Sequence, residues 1–210
     1  MEEPLEQYER DGSTIQIFRD ENAFNPREER DGILGVMLCA HRNYNLGDEQ
    51  IGPAGPDTTV TCPECKDDRL CQLCEGTEEI DLPLMEYLEQ ERGATVILPL
   101  GLLDHSGLHM YVGAGAHMSD PGGWDSGQVG VIFDTTETRS TCGCKDWDKA
   151  RIEESLRAEV KEYDTYLRGE CYGYVIKDAA GETTDSCWGF LGDIEDCKRE
   201  AEATLSPVCA

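Results

Sequence analysis

Apolar and polar residues alternate from Ser13 to Arg19, with Ile15 and Ile17 set against Thr14 and Gln16 before Phe18 breaks the pattern. That alternation predicts a half-buried strand. Ile33 to Cys39 is a nearly unbroken apolar run and predicts a more central strand. Leu84, Tyr87 and Leu88 share helical spacing between Pro83 and Gly93, with Asp81 as the expected cap. Ala94 to Leu103 predicts a long strand softened at Pro99 and Gly101, and Leu108 to Val112 and Val129 to Phe133 predict two shorter ones. Between Asp146 and Gly169 the period becomes that of a helix, and Ile152, Leu156, Val160, Tyr163 and Leu167 fall on one face. Cys171 to Lys177 and Thr183 to Phe190 predict a hairpin around Ala179-Ala180-Gly181. Asp193 then opens a last helix with Ile194, Cys197, Ala201 and Leu205 inward. This order indicates an α+β fold: a mixed or mainly antiparallel sheet with two to three helices on one face. Residues 1–210 read as a single domain of that class, with a four-cysteine element inserted at 55–80.

That element follows a Gly-, Pro- and Thr-rich linker from Gly52 to Thr61. Cys62-Pro63-Glu64-Cys65 and Cys71-Gln72-Leu73-Cys74 are two Cys-x-x-Cys knuckles five residues apart. Tight turns of this kind aim four thiolates at one tetrahedral zinc, with sulfurs about 2.3 Å from the metal. With all four positions sulfur, no coordination site is left for chemistry, so the expected zinc is structural. Cys142-Gly143-Cys144 has too short a spacing for a knuckle of its own; a second site would need Cys171, Cys187, Cys197 or a histidine.

Composition changes the picture mainly through charge. Acids number 44 against 18 bases, giving a net charge of −26, and the 12 arginines outnumber the 6 lysines. Acids spread along a chain indicate a solvated acidic surface, as in a high-salt protein, with mimicry of a nucleic-acid backbone as the alternative. No basic stripe exists to neutralise phosphates, so direct nucleic-acid binding is not expected. No stretch reaches the ~20 apolar residues of a membrane span, and the start Met1-Glu2-Glu3 has the wrong charge for a secretion signal. These features predict an intracellular protein with no membrane contact.

The candidate chemistry gathers between Asp104 and Phe133, where short strands end in Asp104-His105-Ser106-Gly107 and Trp124-Asp125-Ser126-Gly127-Gln128. His105 and His109 stand four apart, and in an extended segment they would share a face near Asp104 and Asp125, as a two-His, one-carboxylate metal site would need. The simpler reading is two histidines satisfied at strand ends. Asp185-Ser186-Cys187-Trp188 superficially resembles the surroundings of a papain-like nucleophile, but Cys187 falls in a predicted strand and every histidine lies upstream. No phosphate loop, dinucleotide fingerprint or Gly-x-Ser-x-Gly elbow is present.

Several longer segments carry a resemblance. They are Asn25-Pro26-Arg27-Glu28, Cys39 through Asp48, Leu98-Pro99-Leu100, Asp104 through Gly107, Trp124 through Gly130, Glu159 through Leu167, Tyr172 through Val175 and Asp185 through Phe190. Together they resemble a family of uncharacterised proteins carried by tailed bacterial and archaeal viruses and by mobile elements. The resemblance implies a small accessory protein of the host-cell interior with no assigned activity. The four-cysteine insertion and Cys142-Gly143-Cys144 depart from the family's pattern, which makes zinc a property of this member. The first expectation is a binding module for a host protein or a small ligand, with a polar pocket formed by His41, Arg42, Tyr44, Asp104, His105, Trp124, Asp125, Gln128 and Trp188. A hydrolase using His105 on a metal, or Cys187 with a histidine, is the second. A virion component is the third.

Overall fold

A computed structural model describes residues 3–28, 32–52, 54–63, 77 and 79–205. In chain order the elements are β1 (Glu6–Arg10), β2 (Ser13–Arg19), β3 (Gly35–Cys39), β4 (Glu49–Gln50), β5 (Thr59–Thr61), β6 (Glu79–Asp81), α1 (Leu84–Gln90), β7 (Ile97–Asp104), β8 (Leu108–Val112), β9 (Ser126–Asp134), α2 (Thr136–Thr141), α3 (Lys149–Leu167), β10 (Cys171–Lys177), β11 (Thr183–Leu191) and α4 (Ile194–Leu205). The class is α+β, as the patterning predicts, with mixed and antiparallel sheets.

The strands divide between two main sheets. A five-stranded sheet runs β4-β3-β9-β7-β8, antiparallel except where β4 joins β3. A four-stranded antiparallel sheet runs β1-β2-β10-β11. Helix α3 covers one face of the larger sheet, where Ile152, Leu156, Val160 and Tyr163 pack on Met37, Leu98, Leu100, Leu102 and Ile132. The opposite face carries Leu38, Val131 and Phe133 and receives α1 through Leu84 and Leu88. The smaller sheet has its own helix, α4, whose Cys197 and Ala201 pack on Ile15, Ile17, Tyr174 and Ile176. Strand alternation explains this: adjacent β3 and β9 residues point to opposite faces, so a sheet apolar on both needs a helix on each.

Helix α3 begins at Asp148, whose side chain accepts the Arg151 N–H at 2.9 Å, and ends at Gly169 with φ +65°. There the Glu170 N–H donates to the Thr165 carbonyl and the Gly169 N–H to Tyr166, which satisfies the last carbonyls. Helix α2 ends the same way and accounts for Cys142-Gly143-Cys144. Gly143 takes φ +67°, the Cys144 N–H donates to Arg139, the Gly143 N–H donates to Ser140, and Cys144 is buried as the apolar residue that closes the cap.

The β2–β3 and β3–β4 loops are tied to α3 by a buried guanidinium. Arg27, with 3% of its side chain exposed, donates to both Asp48 carboxylate oxygens, to Glu159 at 2.9 Å and to the Gly35 carbonyl at 2.6 Å. Glu159 also accepts the Leu34 N–H at 2.9 Å, and Asp48 accepts the Met37 N–H at 2.7 Å. Burial works against the charge on Arg27, but pairing with Asp48 and then Glu159 outweighs it, and its pKa is raised. The Gly47 N–H donates to the Tyr163 hydroxyl at 3.2 Å, which anchors the same loop a second time.

Candidate functional site

Strand order brings three loops to one end of the five-stranded sheet. β3 pairs antiparallel with β9, and β9 with β7, so the ends of β3 and β7 lie beside the start of β9. The register shift at Leu100/Gly101 sets one extra β9 residue against β7, and such a bulge bends the strand locally. Beyond it lies a hollow of about 510 Å³. His41, Arg42, Asp104, Trp124, Asp125 and Gln128 line it, so six of the nine residues expected to form a pocket meet there. His105 joins through Asp125, Nδ1 to Oδ2 at 2.9 Å. Tyr44 joins by stacking on His41, with ring centroids 4.9 Å apart.

Trp188 does not belong with them. It lies on β11 of the four-stranded sheet, over Gly173 and beside Phe18 at 5.9 Å. Its strand pairs with β10, and nothing in the sequence says that this hairpin joins β2 rather than the larger sheet. His105 and His109 are separated too. Ser106 (φ +58°) and Gly107 (φ +141°) reverse the chain between them, so the extended spacing that would put both histidines on one face does not exist. His109 turns instead to Asp164 on α3, Nδ1 to Oδ1 at 2.6 Å, and the same oxygen accepts the Met110 N–H. Cys187 is exposed on β11, whereas His41 follows β3 and His105, His109 and His117 belong to β8 and the loops around it. The Cys187–histidine pair of the hydrolase reading therefore does not assemble.

The loop before β9 is held by one carboxylate. Asp120 Oδ2 accepts the Asp125 N–H at 2.9 Å and the Ser126 hydroxyl at 2.8 Å, while the Gly123 N–H donates to the Asp120 carbonyl. The Asp125 N–H foremost, with further donors from Ser126 and Trp124, holds Asp120 below the usual carboxylate pKa. Trp124 rests against Gly122, where a Cβ would come within 2.6 Å of the indole. Trp124 is nevertheless 89% exposed. Met118, on the same loop, is exposed as well.

The charges around the hollow are unevenly paired. Asp125 is shared with His105, but neither Asp104 nor Arg42 has a side-chain partner among the described residues. The Asp104 N–H donates to the Asp125 carbonyl at 2.8 Å, and the pair continues the register of Leu103 with Ser126. Asp104 and Asp125 are thus backbone partners at the strand ends, and of the two only Asp125 has its carboxylate paired among the described residues.

Of the four zinc-element cysteines, Cys62 lies buried directly after β5. Cys65, Cys71 and Cys74 lie outside the described residues. β5 and β6, which flank that segment, pair from Thr59 with Asp81 to Thr61 with Glu79. Among the described residues no three His, Cys, Asp or Glu side chains are grouped to hold a metal. Nor, among them, is any helix long and apolar enough to cross a membrane. The Arg27–Asp48–Glu159 clamp and the His109–Asp164 pair escape sequence reasoning because their members are far apart in the chain.

No known protein family, curated protein or solved structure matches the chain.

Proposed function

We propose that the protein is a binding module, a viral accessory protein acting inside the host cell, that grips a partner protein with the Trp124 loop and the hollow beside it. The observation that supports this reading is a tryptophan 89% exposed on a loop that the Asp120 carboxylate and the Ser126 hydroxyl fix from within. Covering about 200 Å² of indole at about 25 cal/mol/Å² contributes about 5 kcal/mol before ordering costs. The loop is already ordered, so little of that gain goes into fixing it. An exposed aromatic anchor of this kind, once a partner surrounds it, is the usual form of an interface hot spot. A protein partner fits better than an enclosed small ligand, because Trp124 projects from the hollow instead of closing it. Arg42 and Asp104, without side-chain partners among the described residues, would set the partner's orientation. A zinc held by Cys62, Cys65, Cys71 and Cys74 completes the proposal as a structural brace.

The test places a photo-cross-linking amino acid at Met118 and identifies the host protein captured. Affinity for that protein is then measured with the purified variants. Trp124→Ala is expected to weaken binding at least about thirtyfold, with an unchanged thermal melt, while Trp188→Ala binds as the wild type does. Equal binding by Trp124→Ala and the wild type refutes the proposal.

A further inference from the structure

We infer that the hollow recognises a guanidinium group, an arginine side chain of a basic segment of the partner, laid on Trp124 and paired with Asp104. This inference rests on the binding reading above and names the chemistry it takes. Three observations carry it. Asp104 and Asp125 are backbone neighbours across the ends of β7 and β9, and the Asp104 carboxylate has no side-chain partner among the described residues. Asp125 already has His105, so the carboxylate left to meet an incoming cation is that of Asp104. Trp124 lines the same hollow and is backed on the Gly122 side, leaving the indole broadly open. An indole and a carboxylate lining one hollow suit a cation, and a guanidinium best, because it stacks on a ring while its N–H groups meet a carboxylate.

The third observation is the charge of the whole chain. At −26 it draws cationic partners and repels acidic ones at every approach. A metal ion would use the carboxylates without the indole, and among the described residues the hollow supplies no third His, Cys, Asp or Glu grouped with them. Arg42, on the hollow's other wall, makes no ion pair with either carboxylate. It leaves Asp104 free for an incoming cation.

The test uses the full chain labelled with 5-fluorotryptophan, the Trp124 fluorine signal being assigned by its loss in Trp124→Phe. The probes are acetyl-Gly-Arg-Gly-amide and its citrulline counterpart, which keeps the shape and loses the charge. The arginine peptide is expected to move the Trp124 signal, more at low salt than at high salt, and Asp104→Asn to weaken the effect about tenfold. Equal response to the citrulline peptide, no loss in Asp104→Asn, or displacement of the peptide by calcium chloride beyond that caused by sodium chloride of equal ionic strength overturns the inference. If the captured partner still needs Trp124 while the arginine peptide fails, the binding reading stands and only its cationic chemistry falls.

Discussion

Replacing Arg27 by alanine tests whether the clamp on α3 holds the walls of the hollow in place. Arg27 lies far from Trp124 in sequence and does not line the hollow, yet it fixes Asp48, which closes the loop carrying His41, Arg42 and Tyr44. Removing one partner of a buried ion pair costs about 3–5 kcal/mol, because the other charges are left uncompensated. Here the two carboxylates keep donors of their own: Leu34 and Gly35 N–H on Glu159, Met37 N–H on Asp48. The loss therefore belongs at the lower end, about 3 kcal/mol, or roughly 6–12 °C in Tm for a chain of this length. Thermal and denaturant melts at neutral pH measure it. Hydrogen exchange should show the Asp48 amide, which donates to Met37, opening faster than amides in β10. Partner affinity should fall as well, since the loop bearing Arg42 loses its anchor. A loss below about 1 kcal/mol, in the range of a surface pair, would refute the idea that this guanidinium organises the loops.

Three further predictions follow from particular groups. The folded-state pKa of Asp120 is lowered, so its contribution to loop order is full above the ordinary carboxylate range and is lost only as pH falls through the depressed value. The Trp124 fluorescence should accordingly stay constant through mildly acidic pH, and Asp120→Ala should speed exchange of the Asp125 amide at neutral pH. A Cβ at Gly130 would lie 2.1 Å from the Leu38 carbonyl oxygen, a backbone atom that moves only if β3 and β9 separate; Gly130→Ala should cost about 1–3 kcal/mol or more in a denaturant melt. Elemental analysis of protein purified under reducing conditions should find one zinc per chain, and Cys62→Ser should release it, whereas metal-free wild type would dispose of the four-cysteine site.

Much of the fold was legible because it is written locally. The helical period of Ile152, Leu156, Val160 and Tyr163 fixes α3, and the two runs around Ala179-Ala180-Gly181 fix the β10–β11 hairpin. Where a neighbour decides, the pattern is silent. β1, with sequence EQYER, reads as an acidic lead-in and becomes a strand because β2 supplies its ladder. Thr136–Thr141 reads as polar loop, yet Thr135 and Thr138 cap each other and start a helix. Of the site, His41, Arg42, Asp104, Trp124, Asp125 and Gln128 could be gathered from the sequence, since each flanks a predicted strand end.

The sequence by itself determined the α+β class, the main elements, the acidity and the loops on which polar side chains cluster, because these depend on residues a few positions apart. Only the tertiary structure decided that the strands form two sheets, which sends Trp188 away from Trp124. It also turned His109 to Asp164 and left Asp104, next to Asp125, without a side-chain partner among the described residues. Those outcomes depend on which strand edges meet across long stretches of chain. That choice is made by burying two apolar faces at once, and no local pattern records it.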